Sequence, residues 1–386
     1  MAQIVLDGVT KRFGEVVAIR DLSLEVRDRE FLVLLGPSGA GKTTTLRTVA
    51  GLEKPDAGSV RINGEAVEDH TPAERNVAFV FQDYALYPFM TAYQNMAFPL
   101  KAPTRGGHQP SKSEIDQRVR AVAAILQIEH LMQRKPAQLS GGEQQRVALG
   151  RAMVRRPQAF LMDEPLTNLD AKLRNLMRAE LKHLHGEIGA TTLYVTHDQV
   201  EAMTMGDRIA VLRAGNCQQI GTPDEIYLTP ANTFVGSFVG NPSMNLLAGT
   251  ITSANGHADG TAGMAVRLDN DAGTVALERA LAPIAAAAPS ANVVLGVRAE
   301  DVRIVPETEP GALRTTVYAV EPLGDRYIYD LQLGGYVIKV KTAPSVVLEA
   351  GQPAWIVFDP DHVHLFDAAT TTRLFTERAL QGVAHG

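Results

Sequence analysis

A glycine-rich run between an apolar stretch and a helical stretch constrains the fold of this chain more than any other feature. The run from Gly36 to Thr43 reads GPSGAGKT and matches the pattern G-x-x-x-x-G-K-[ST]. Phe31–Leu35 before it is continuously apolar, and residues 42–50 after it read as a helix. Glycines let such a loop turn tightly, so that its amides and the helix N-terminus point at phosphate oxygens. The sequence therefore predicts a strand, a phosphate-binding loop and a helix.

The loop residues can be given separate roles in binding a nucleoside triphosphate and magnesium. The Lys42 ammonium would bridge the β- and γ-phosphates, and the Thr43 hydroxyl would be a ligand of Mg²⁺. The alternative is a chance glycine-rich turn, which the flanking strand and helix disfavour. We expect nucleotide to bind at Gly36, Pro37, Ser38, Gly39, Ala40, Gly41, Lys42, Thr43 and Thr44.

Two consecutive acidic residues end a later apolar run. Residues 159–162 read as a strand, and Asp163 and Glu164 follow directly. In an open α/β sheet the carboxyl end of a strand lies at the edge where the phosphate loop also lies. Asp163 would bind Mg²⁺, directly or through water, and Glu164 would polarise the attacking water as a general base. An acidic helix N-terminus is the alternative for this dipeptide on its own, but the phosphate loop favours catalysis.

Strands and helices alternate through the first part of the chain. We predict strands at residues 77–81, 159–162 and 192–195 and helices at residues 113–127 and 169–188. Short apolar or β-branched runs of this kind are typical of strands covered on both faces. The prediction is an α/β fold with a mostly parallel sheet over residues 1–240. A helical subdomain is expected at about residues 84–157, with an exposed loop at residues 101–113.

The pattern changes after Pro242, where short apolar runs are separated by glycine, proline and aspartate. The predicted strands are residues 293–297, 315–320, 327–333, 336–340 and 354–358. About six short strands at such spacing are typical of a small β-barrel. We therefore predict a second domain, a small β-barrel, at residues 241–386.

Charge and composition exclude several classes of protein. Residues 1–240 hold 27 basic and 27 acidic residues, and residues 241–386 hold 10 and 16. Neither half has the basic excess of a nucleic-acid-binding domain. The single cysteine, Cys217, excludes an intramolecular disulfide framework. No apolar run approaches the roughly 20 residues that span a bilayer, so we do not expect the chain to cross a membrane by itself.

Residues 139–145, with the sequence LSGGEQQ, carry a family resemblance. Ser140 and Glu143 have the spacing of a capping box, and the two glycines between them expose helix N-terminal amides as an anion site. Together with the phosphate loop and the acidic pair, they make the chain resemble the nucleotide-binding subunit of an ABC transporter, whose signature is LSGGQ. The resemblance implies that Ser140, Gly141, Gly142 and Glu143 bind nucleotide. Glu143 departs from the usual glutamine and adds a negative charge near the phosphates.

The same resemblance implies roles for four more residues. Gln82 matches the glutamine that reaches Mg²⁺ and the attacking water, and Asp170 matches the aspartate of the loop that crosses the dimer. His197 matches the switch histidine on the γ-phosphate, and Phe13 matches the aromatic residue that stacks on adenine. A structural histidine and a core aromatic residue are the respective alternatives. The implied catalytic residues are Lys42, Gln82, Glu164 and His197, and the implied metal ligands are Thr43, Gln82 and Asp163.

Longer segments narrow the resemblance to the sugar-importer branch of this family. Residues 84–100, 195–203 and 240–247 resemble its ATPase domain, and residues 295–302, 320–324 and 365–374 resemble its C-terminal regulatory barrel of the OB type. The resemblance implies an ATP-hydrolysing motor subunit of a bacterial ABC importer, with ATP and Mg²⁺ as cofactors and a carbohydrate as the expected cargo.

The resemblance also implies partners and a location. We expect a homodimer with a second copy of the chain, two transmembrane permease subunits, an extracytoplasmic solute-binding protein acting through them, and a cytosolic regulator on the C-terminal domain. The chain would lie at the cytoplasmic face of the inner membrane. The alternatives are an importer of glycerol-3-phosphate, polyamine or iron and, from another class, a soluble ABC ATPase acting on ribosomes or DNA. The single ATPase cassette and the acidic appended domain disfavour the last of these.

Overall fold

The chain divides into two compact units, Met1–Pro223 and Asp224–Gly386. The computed structural model describes residues 2–101, 110–155, 157–167, 169–254, 263–277 and 281–375. Residues 102–109 of the predicted loop at residues 101–113 lie outside the described residues. Each unit has its own hydrophobic core, and each is described by itself below.

The first unit consists of ten strands and six helices in its described residues. The strands are β1 (Ile4–Phe13), β2 (Val16–Val26), β3 (Phe31–Leu35), β4 (Ala57–Ile62), β5 (Glu65–Ala66), β6 (Val77–Val80), β7 (Ala159–Asp163), β8 (Thr191–Thr196), β9 (Arg208–Arg213) and β10 (Asn216–Gly221). The helices are α1 (Lys42–Ala50), α2 (Ala92–Lys101), α3 (Lys112–Ile125), α4 (Gly141–Met153), α5 (Ala171–Ile188) and α6 (Gln199–Met205), with short 3-10 turns at Glu129–Leu131 and Pro136–Gln138.

A six-stranded sheet with the order β10-β9-β3-β8-β7-β6 forms the centre of this unit. The pairs from β9 to β6 are parallel, and β10 is antiparallel at the edge. Every residue of β3, β7 and β8 is buried, as expected for strands covered on both faces. The predicted α/β fold with a mostly parallel sheet is confirmed. Because the strands are parallel, the loops after β3, β7 and β8 meet at one edge of the sheet.

A second, antiparallel sheet with the order β2-β1-β4-β5 was not predicted. Its strands alternate buried and exposed residues only in part, because register shifts interrupt the pairing of β1 with β2 and with β4. Leu6 and Leu22 of this sheet share one hydrophobic cluster with Leu46 of α1 and Leu193 of β8. The antiparallel sheet therefore covers the same core as the central sheet.

The segment between β6 and β7 is helical, as predicted. It contains α2, α3 and α4, and α4 packs against both α2 and α3. Ser111 begins α3 with a capping box to Glu114, and Ser140 begins α4 in the same way with Glu143. Among the described helices of the chain, none combines the length and the apolar character needed to cross a membrane.

The second unit is built from ten strands and three short helices in its described residues. The strands are β11 (Asn245–Ala254), β12 (Gly263–Leu268), β13 (Thr274–Leu277), β14 (Asn292–Val297), β15 (Val302–Val305), β16 (Leu313–Pro322), β17 (Tyr327–Leu333), β18 (Tyr336–Thr342), β19 (Pro353–Phe358) and β20 (His364–Asp367). The helices are α7 (Pro223–Leu228), α8 (Thr233–Phe238) and α9 (Ala282–Ala286), with 3-10 turns at Ala299–Asp301 and Pro360–His362.

These strands form two five-stranded antiparallel sheets, with the orders β13-β12-β11-β14-β20 and β15-β19-β16-β17-β18. Both contribute to one core that includes Leu295, Tyr329 and Ile356. All five predicted strands are present. The estimate of about six strands was too low, because β11 to β13 and the short strands β15 and β20 lack an isolated apolar run.

The two compact units divide after Pro223, whereas the sequence predicts the change of domain at Gly240. Arg298 explains the difference, because its guanidinium is buried and donates hydrogen bonds to carbonyl groups of the segment before Gly240. Nη2 donates to the carbonyl of Tyr227 at 2.7 Å, and Nη1 donates to those of Gly236, at 3.2 Å, and Val239. Residues 224–240 therefore pack with the second unit, and local sequence patterns around Gly240 do not contain this long-range contact.

Candidate active site

The phosphate loop connects β3 to α1, as predicted. Gly41 is the N-cap of α1 with φ 96°, a left-handed conformation that favours glycine. A Cβ on Gly36 would lie 2.4 Å from the carbonyl oxygen of Leu212, so this position has no room for a side chain. The loop backbone is thus fixed by two glycines that no other residue can replace without a shift.

The Lys42 side chain is buried and folded over the loop. Its Nζ donates to the carbonyls of Gly36, at 2.9 Å, and Pro37, at 3.1 Å. Burial lowers the pKa of Lys42, and the carboxylates of Glu164 and Asp163 oppose that shift. Nζ lies 3.8 Å from Oε1 of Glu164. The ammonium therefore lies between the loop and the acidic pair. A terminal phosphate at this place would be attracted by both the loop amides and Lys42.

Thr43 and Asp163 bring two candidate metal ligands into contact. The Thr43 hydroxyl donates a hydrogen bond of 2.8 Å to Oδ1 of Asp163, the last residue of β7. Burial raises the pKa of Asp163, and the Thr43 hydrogen bond opposes the shift. In the described parts of the chain, no group of three or more His, Cys, Asp or Glu side chains could hold a metal ion. One hydroxyl and one carboxylate fit Mg²⁺ only when phosphate oxygens and water complete its oxygen shell.

Glu164 and His197 are also brought together. Nδ1 of His197 lies 2.9 Å from Oε2 of Glu164, and the Thr167 hydroxyl donates to the same oxygen at 3.2 Å. Glu164 has a positive φ of 44°, and its N–H donates to the carbonyl of Val195 at 3.0 Å. This unusual backbone conformation turns the Glu164 side chain toward Lys42 and His197, while Asp163 faces Thr43. Adjacent acids thus have separate partners.

Gln82 follows β6, the strand next to β7 in the central sheet. Val80, the last residue of β6, pairs with Met162 of β7, and Gln82 comes two residues later. Gln82 is exposed. Gln82 and the acidic pair therefore both stand at the carboxyl ends of neighbouring parallel strands, and the role of Gln82 stays a prediction.

The signature segment forms the start of α4. Ser140 Oγ accepts from the N–H of Glu143 at 3.4 Å and donates to Oε2 of Glu143 at 2.9 Å, and the Ser140 N–H donates to the same oxygen at 2.7 Å. These bonds, chiefly the backbone one, lower the pKa of Glu143. The Glu143 carboxylate, which carries the extra negative charge noted in the sequence, therefore contacts Ser140 of its own chain. Gly142, in the first turn of α4, packs against α5, because an added Cβ would be 2.5 Å from Cδ2 of Leu173.

Asp170 and Phe13 each stand at the end of a secondary-structure element. Asp170 is the N-cap of α5, and its Oδ1 accepts from the N–H of Leu173 at 2.9 Å. The Phe13 ring, at the end of β1, is 47% exposed, with Nζ of Lys11 5.2 Å from its centroid. Such exposure leaves ring surface available for stacking and disfavours the core-aromatic interpretation.

Sequence reasoning missed a polar group behind His197. The hydroxyls of Tyr194 and Thr196 each donate to Oε2 of the buried Glu201 at 2.8 Å, and burial raises the pKa of Glu201. Nη1 of Arg174 lies 3.4 Å from Oδ2 of Asp198. No local motif marks these residues, because their partners lie on α5, β8 and α6. The spacing of Asp198 and Glu201 at the start of α6 was the one available signal.

The fold and this site define a phosphate-loop nucleoside triphosphatase. Comparisons with known proteins agree with that class. Residues 19–167 match the family model described as ABC transporter, residues 240–302 match the MalK OB fold domain, and residues 295–366 match the TOBE domain. The second unit, predicted as one OB-type barrel, therefore matches an OB fold and a TOBE domain.

Curated relatives extend over nearly the whole chain. The trehalose/maltose import ATP-binding protein MalK of Thermococcus litoralis is 48% identical over 97% of this chain and 100% of its own. The trehalose import ATP-binding protein SugC of Mycobacterium tuberculosis is 48% identical, covering 97% of this chain and 98% of its own. The sn-glycerol-3-phosphate import ATP-binding protein UgpC 1 of Rhizobium johnstonii is 44% identical, covering 96% and 95%.

A solved structure supports the same assignment for the first unit. A dimeric ATP-binding cassette in a post-hydrolysis state, bound to ADP and Pi, matches with a TM-score of 0.51 and 35% identity over 57% of this chain and 98% of that chain. The chain belongs to the ATP-binding proteins of ABC transporters, and it is the ATP-hydrolysing motor subunit of an importer. The family expected from the sequence is confirmed.

Proposed function

We propose that this chain powers the import of a carbohydrate. The observation that carries the proposal is the 48% identity, over 97% of the chain, to a relative named for trehalose and maltose import. Glycerol-3-phosphate is the second candidate, supported by a relative that is 44% identical over 96% of the chain. These relatives favour both cargoes over polyamine and iron. They also disfavour a soluble ATPase that acts on ribosomes or DNA, since both relatives are named for import and match nearly the whole chain.

The proposed chemistry assigns each side chain of the site a separate task. Lys42 and the loop amides bind the β- and γ-phosphates, and the Glu164 carboxylate accepts the proton of the attacking water. His197, 2.9 Å from Glu164, orients that carboxylate and contacts the γ-phosphate. Thr43 and Asp163 would hold Mg²⁺, and Gln82 would reach the same ion. Bound Mg²⁺ neutralises charge on the phosphates.

The proposed active site needs two chains. The N-terminus of α4, with Ser140, Gly141, Gly142 and Glu143, provides a second set of amides for phosphate. In a head-to-tail dimer these amides would contact the ATP bound to the Lys42 loop of the other copy, and Asp170 would lie at the crossing point. The dimeric cassette that the first unit resembles, at 35% identity, supports this arrangement. Because both halves of the site are present on this chain, a homodimer with two equivalent sites follows.

The proposed assembly places the chain at the cytoplasmic face of the inner membrane. Two transmembrane permease subunits would receive the motion of the dimer, and an extracytoplasmic solute-binding protein would deliver the cargo to them. The exposed side chain of Phe89, at 86%, together with Tyr87 and Phe98, supports a surface that receives a short permease helix. The acidic second unit would bind a cytosolic regulator.

Uptake measurements in cells separate the two cargoes. A strain that lacks the gene for this chain is complemented with the wild-type chain or with Glu164→Gln, and uptake of labelled trehalose, maltose and glycerol-3-phosphate is compared. We expect carbohydrate uptake to require the wild-type chain and to fail with Glu164→Gln. Restoration of glycerol-3-phosphate uptake alone would favour the second candidate. Unchanged uptake of all three solutes in the deleted strain would contradict both.

A further inference from the structure

The Arg174 guanidinium connects two loops of the first unit. Its Nη2 donates to the carbonyl of Leu169 at 3.1 Å, and its Nη1 lies 3.4 Å from Oδ2 of Asp198. Leu169 immediately precedes Asp170, and Asp198 immediately follows His197. One planar side chain thus holds both the loop proposed to cross the dimer and the loop proposed to contact the γ-phosphate. Two donors at a fixed angle suit arginine, since a lysine ammonium has no such fork.

The Leu169 side of this connection leads to the signature segment. An added Cβ on Gly142 would be 2.5 Å from Cδ2 of Leu173, and one on Gly141 would be 3.9 Å from Cδ2 of Leu169. The start of α4 therefore rests directly on the residues around the first turn of α5. A displacement of Leu169 and Leu173 would displace the amides of α4, because protein interiors are close-packed and transmit strain.

The Asp198 side of the connection is equally well fixed. Oδ1 of Asp198 accepts from the N–H groups of Val200, at 2.8 Å, and Glu201, at 3.1 Å, and caps α6. The N–H of Asp198 donates to Oγ1 of Thr196 at 2.9 Å, and that hydroxyl donates to Glu201. His197 lies between Thr196 and Asp198, so its backbone is held on both sides. A movement of the His197 loop is therefore passed to Arg174.

The contacts of Arg174 join segments that would bind different ATP molecules in the proposed dimer. His197 of a chain would contact the ATP on that chain's own phosphate loop, whereas residues 140–142 and Asp170 would contact the ATP of the other site. We propose that Arg174 is a positioning residue that couples the two sites, so that ATP contact at His197 favours the arrangement of α4 and α5 that closes on the second ATP. This inference rests on the shared-site dimer of the proposed function.

The inference is tested by steady-state hydrolysis with the full-length chain over a range of ATP concentrations. The variants are Arg174→Gln, Arg174→Lys, Asp198→Asn and the double variant Arg174→Gln/Asp198→Asn. Asparagine caps a helix as well as aspartate does, so Asp198→Asn removes the charge and keeps the cap. If ATP binding is coupled between the two sites, the wild-type chain should show a Hill coefficient above one. Arg174→Gln should lower this coefficient to about one and lower kcat about tenfold, the effect of losing one charged hydrogen bond.

Further measurements separate coupling from simple structural support. ADP binding to the monomer should stay within about twofold of wild type, because Arg174 does not contact the phosphate loop in the described structure. The double variant should lose no more than Arg174→Gln alone, as expected when both changes remove one interaction. Arg174→Lys should restore part of kcat through its charge and little of the Hill coefficient.

Arg178 provides a matched control on the same helix. Arg178 lies one helical turn beyond Arg174. Its guanidinium donates a hydrogen bond to the side chain of Asn175, which is also on α5. Arg178→Gln removes the same charge and should keep the wild-type Hill coefficient and kcat. Equal losses in Arg178→Gln and Arg174→Gln, or parallel losses of ADP binding and melting temperature in Arg174→Gln, would overturn the coupling role. Cooperative hydrolysis that persists in Arg174→Gln would overturn this inference alone. A wild-type chain that hydrolyses ATP without cooperativity, with Glu164→Gln monomeric in ATP, would contradict the shared-site dimer itself.

Discussion

Nδ1 of His197 lies 2.9 Å from Oε2 of Glu164, although 33 residues separate them in sequence. The contact follows from the sheet, because β7 and β8 are parallel neighbours and Asp163 pairs with Val195. The loops that leave these strands therefore begin side by side. Glu164 is held by His197, by the Thr167 hydroxyl and through its own N–H, so three contacts fix the orientation of this residue. A carboxylate held in one orientation suits the proposed role of Glu164 as the general base.

Glu164→Gln should abolish most hydrolysis and preserve nucleotide binding. Loss of one general base lowers the rate by about 10² to 10⁴, while the neutral amide keeps the size of the side chain and contacts to His197 and Thr167. The measurement is phosphate release in Mg²⁺ and ATP, with nucleotide affinity measured separately. Lys42→Ala is the comparison, and it should fail at productive binding instead. Hydrolysis by Glu164→Gln at the parental rate would show that another group accepts the proton.

The nucleotide-binding part of this structure could be predicted because its signals are local. The buried run before Gly36, the glycines of the loop and the acids after 159–162 are all contiguous in sequence. The antiparallel sheet formed by β1, β2, β4 and β5 could not be predicted in this way. Its register shifts break the period-two pattern by which a half-buried strand is recognised.

Contacts between residues that are distant in sequence account for the remaining differences between the predicted and the observed structure. Arg298 and Arg174 read as ordinary surface cations in the sequence, yet Arg298 donates to backbone carbonyls more than 50 residues away, and Arg174 lies 3.4 Å from Asp198, 24 residues further along the chain. The first contact moves the boundary of the units, and the second gives the site a connection that no motif reveals. Such residues become visible only when the packing is known, because sequence spacing fixes neighbours along one element and not between elements.

His364 predicts how the stability of the second unit depends on pH. Burial, together with the nearby Arg373 and Arg298, lowers the pKa of His364 to about 3. Its Nδ1 is buried and has no hydrogen-bond partner among the described residues. The unfolded chain binds a proton near pH 6.5 and the folded chain does not, so stability is full above that pH and falls as the pH drops toward 3. The expected loss at pH 5 is about 2 kcal/mol.

Trp355, the only tryptophan of the chain, lies in β19 and reports on this unit. Urea unfolding followed by its fluorescence should show a lower midpoint at pH 5 than at pH 7.5. His364→Leu removes the titrating group and should reduce this difference, whereas His362→Leu, at a half-exposed neighbour, should retain it. Equal pH dependence in His364→Leu and the wild-type chain would exclude His364 as the cause.

A chain truncated after Pro223 should be soluble, whereas a chain truncated after Gly240 should be less soluble. Ile226, Val235 and Val239 are buried, and they belong to the second unit. A chain of residues 1–240 would expose them, at a cost of roughly 1.5 to 3 kcal/mol for each side chain, and would aggregate. We expect residues 1–223 to be a monodisperse protein that binds ATP and residues 1–240 to be less soluble. Size-exclusion chromatography with a nucleotide-binding assay compares them, and the reverse order of solubility would restore the boundary at Gly240.

Phe89→Glu should uncouple transport from the ATPase. The Phe89 side chain is 86% exposed, so a charge there costs the fold little, but it would disrupt an apolar contact with a permease helix. Solute uptake in cells should fall about tenfold or more, while the isolated chain keeps its hydrolysis rate and melting temperature. Met90→Glu should also lower uptake, and Phe89→Leu, which keeps an apolar side chain, should transport normally. Wild-type uptake by both charged variants would place the permease contact elsewhere.

Mixing two inactive variants tests whether one active site contains parts of two chains. Lys42→Ala removes the ammonium from the phosphate loop, and Ser140→Arg blocks the start of α4, so each homodimer has two defective sites. In a mixed dimer with shared sites, one site carries both lesions and the other carries neither. Random association of equal amounts makes about half of the dimers mixed, so up to about a quarter of wild-type activity should return. If mixed dimers form and no activity returns, the two halves do not share sites in this way, or hydrolysis requires both sites to be intact.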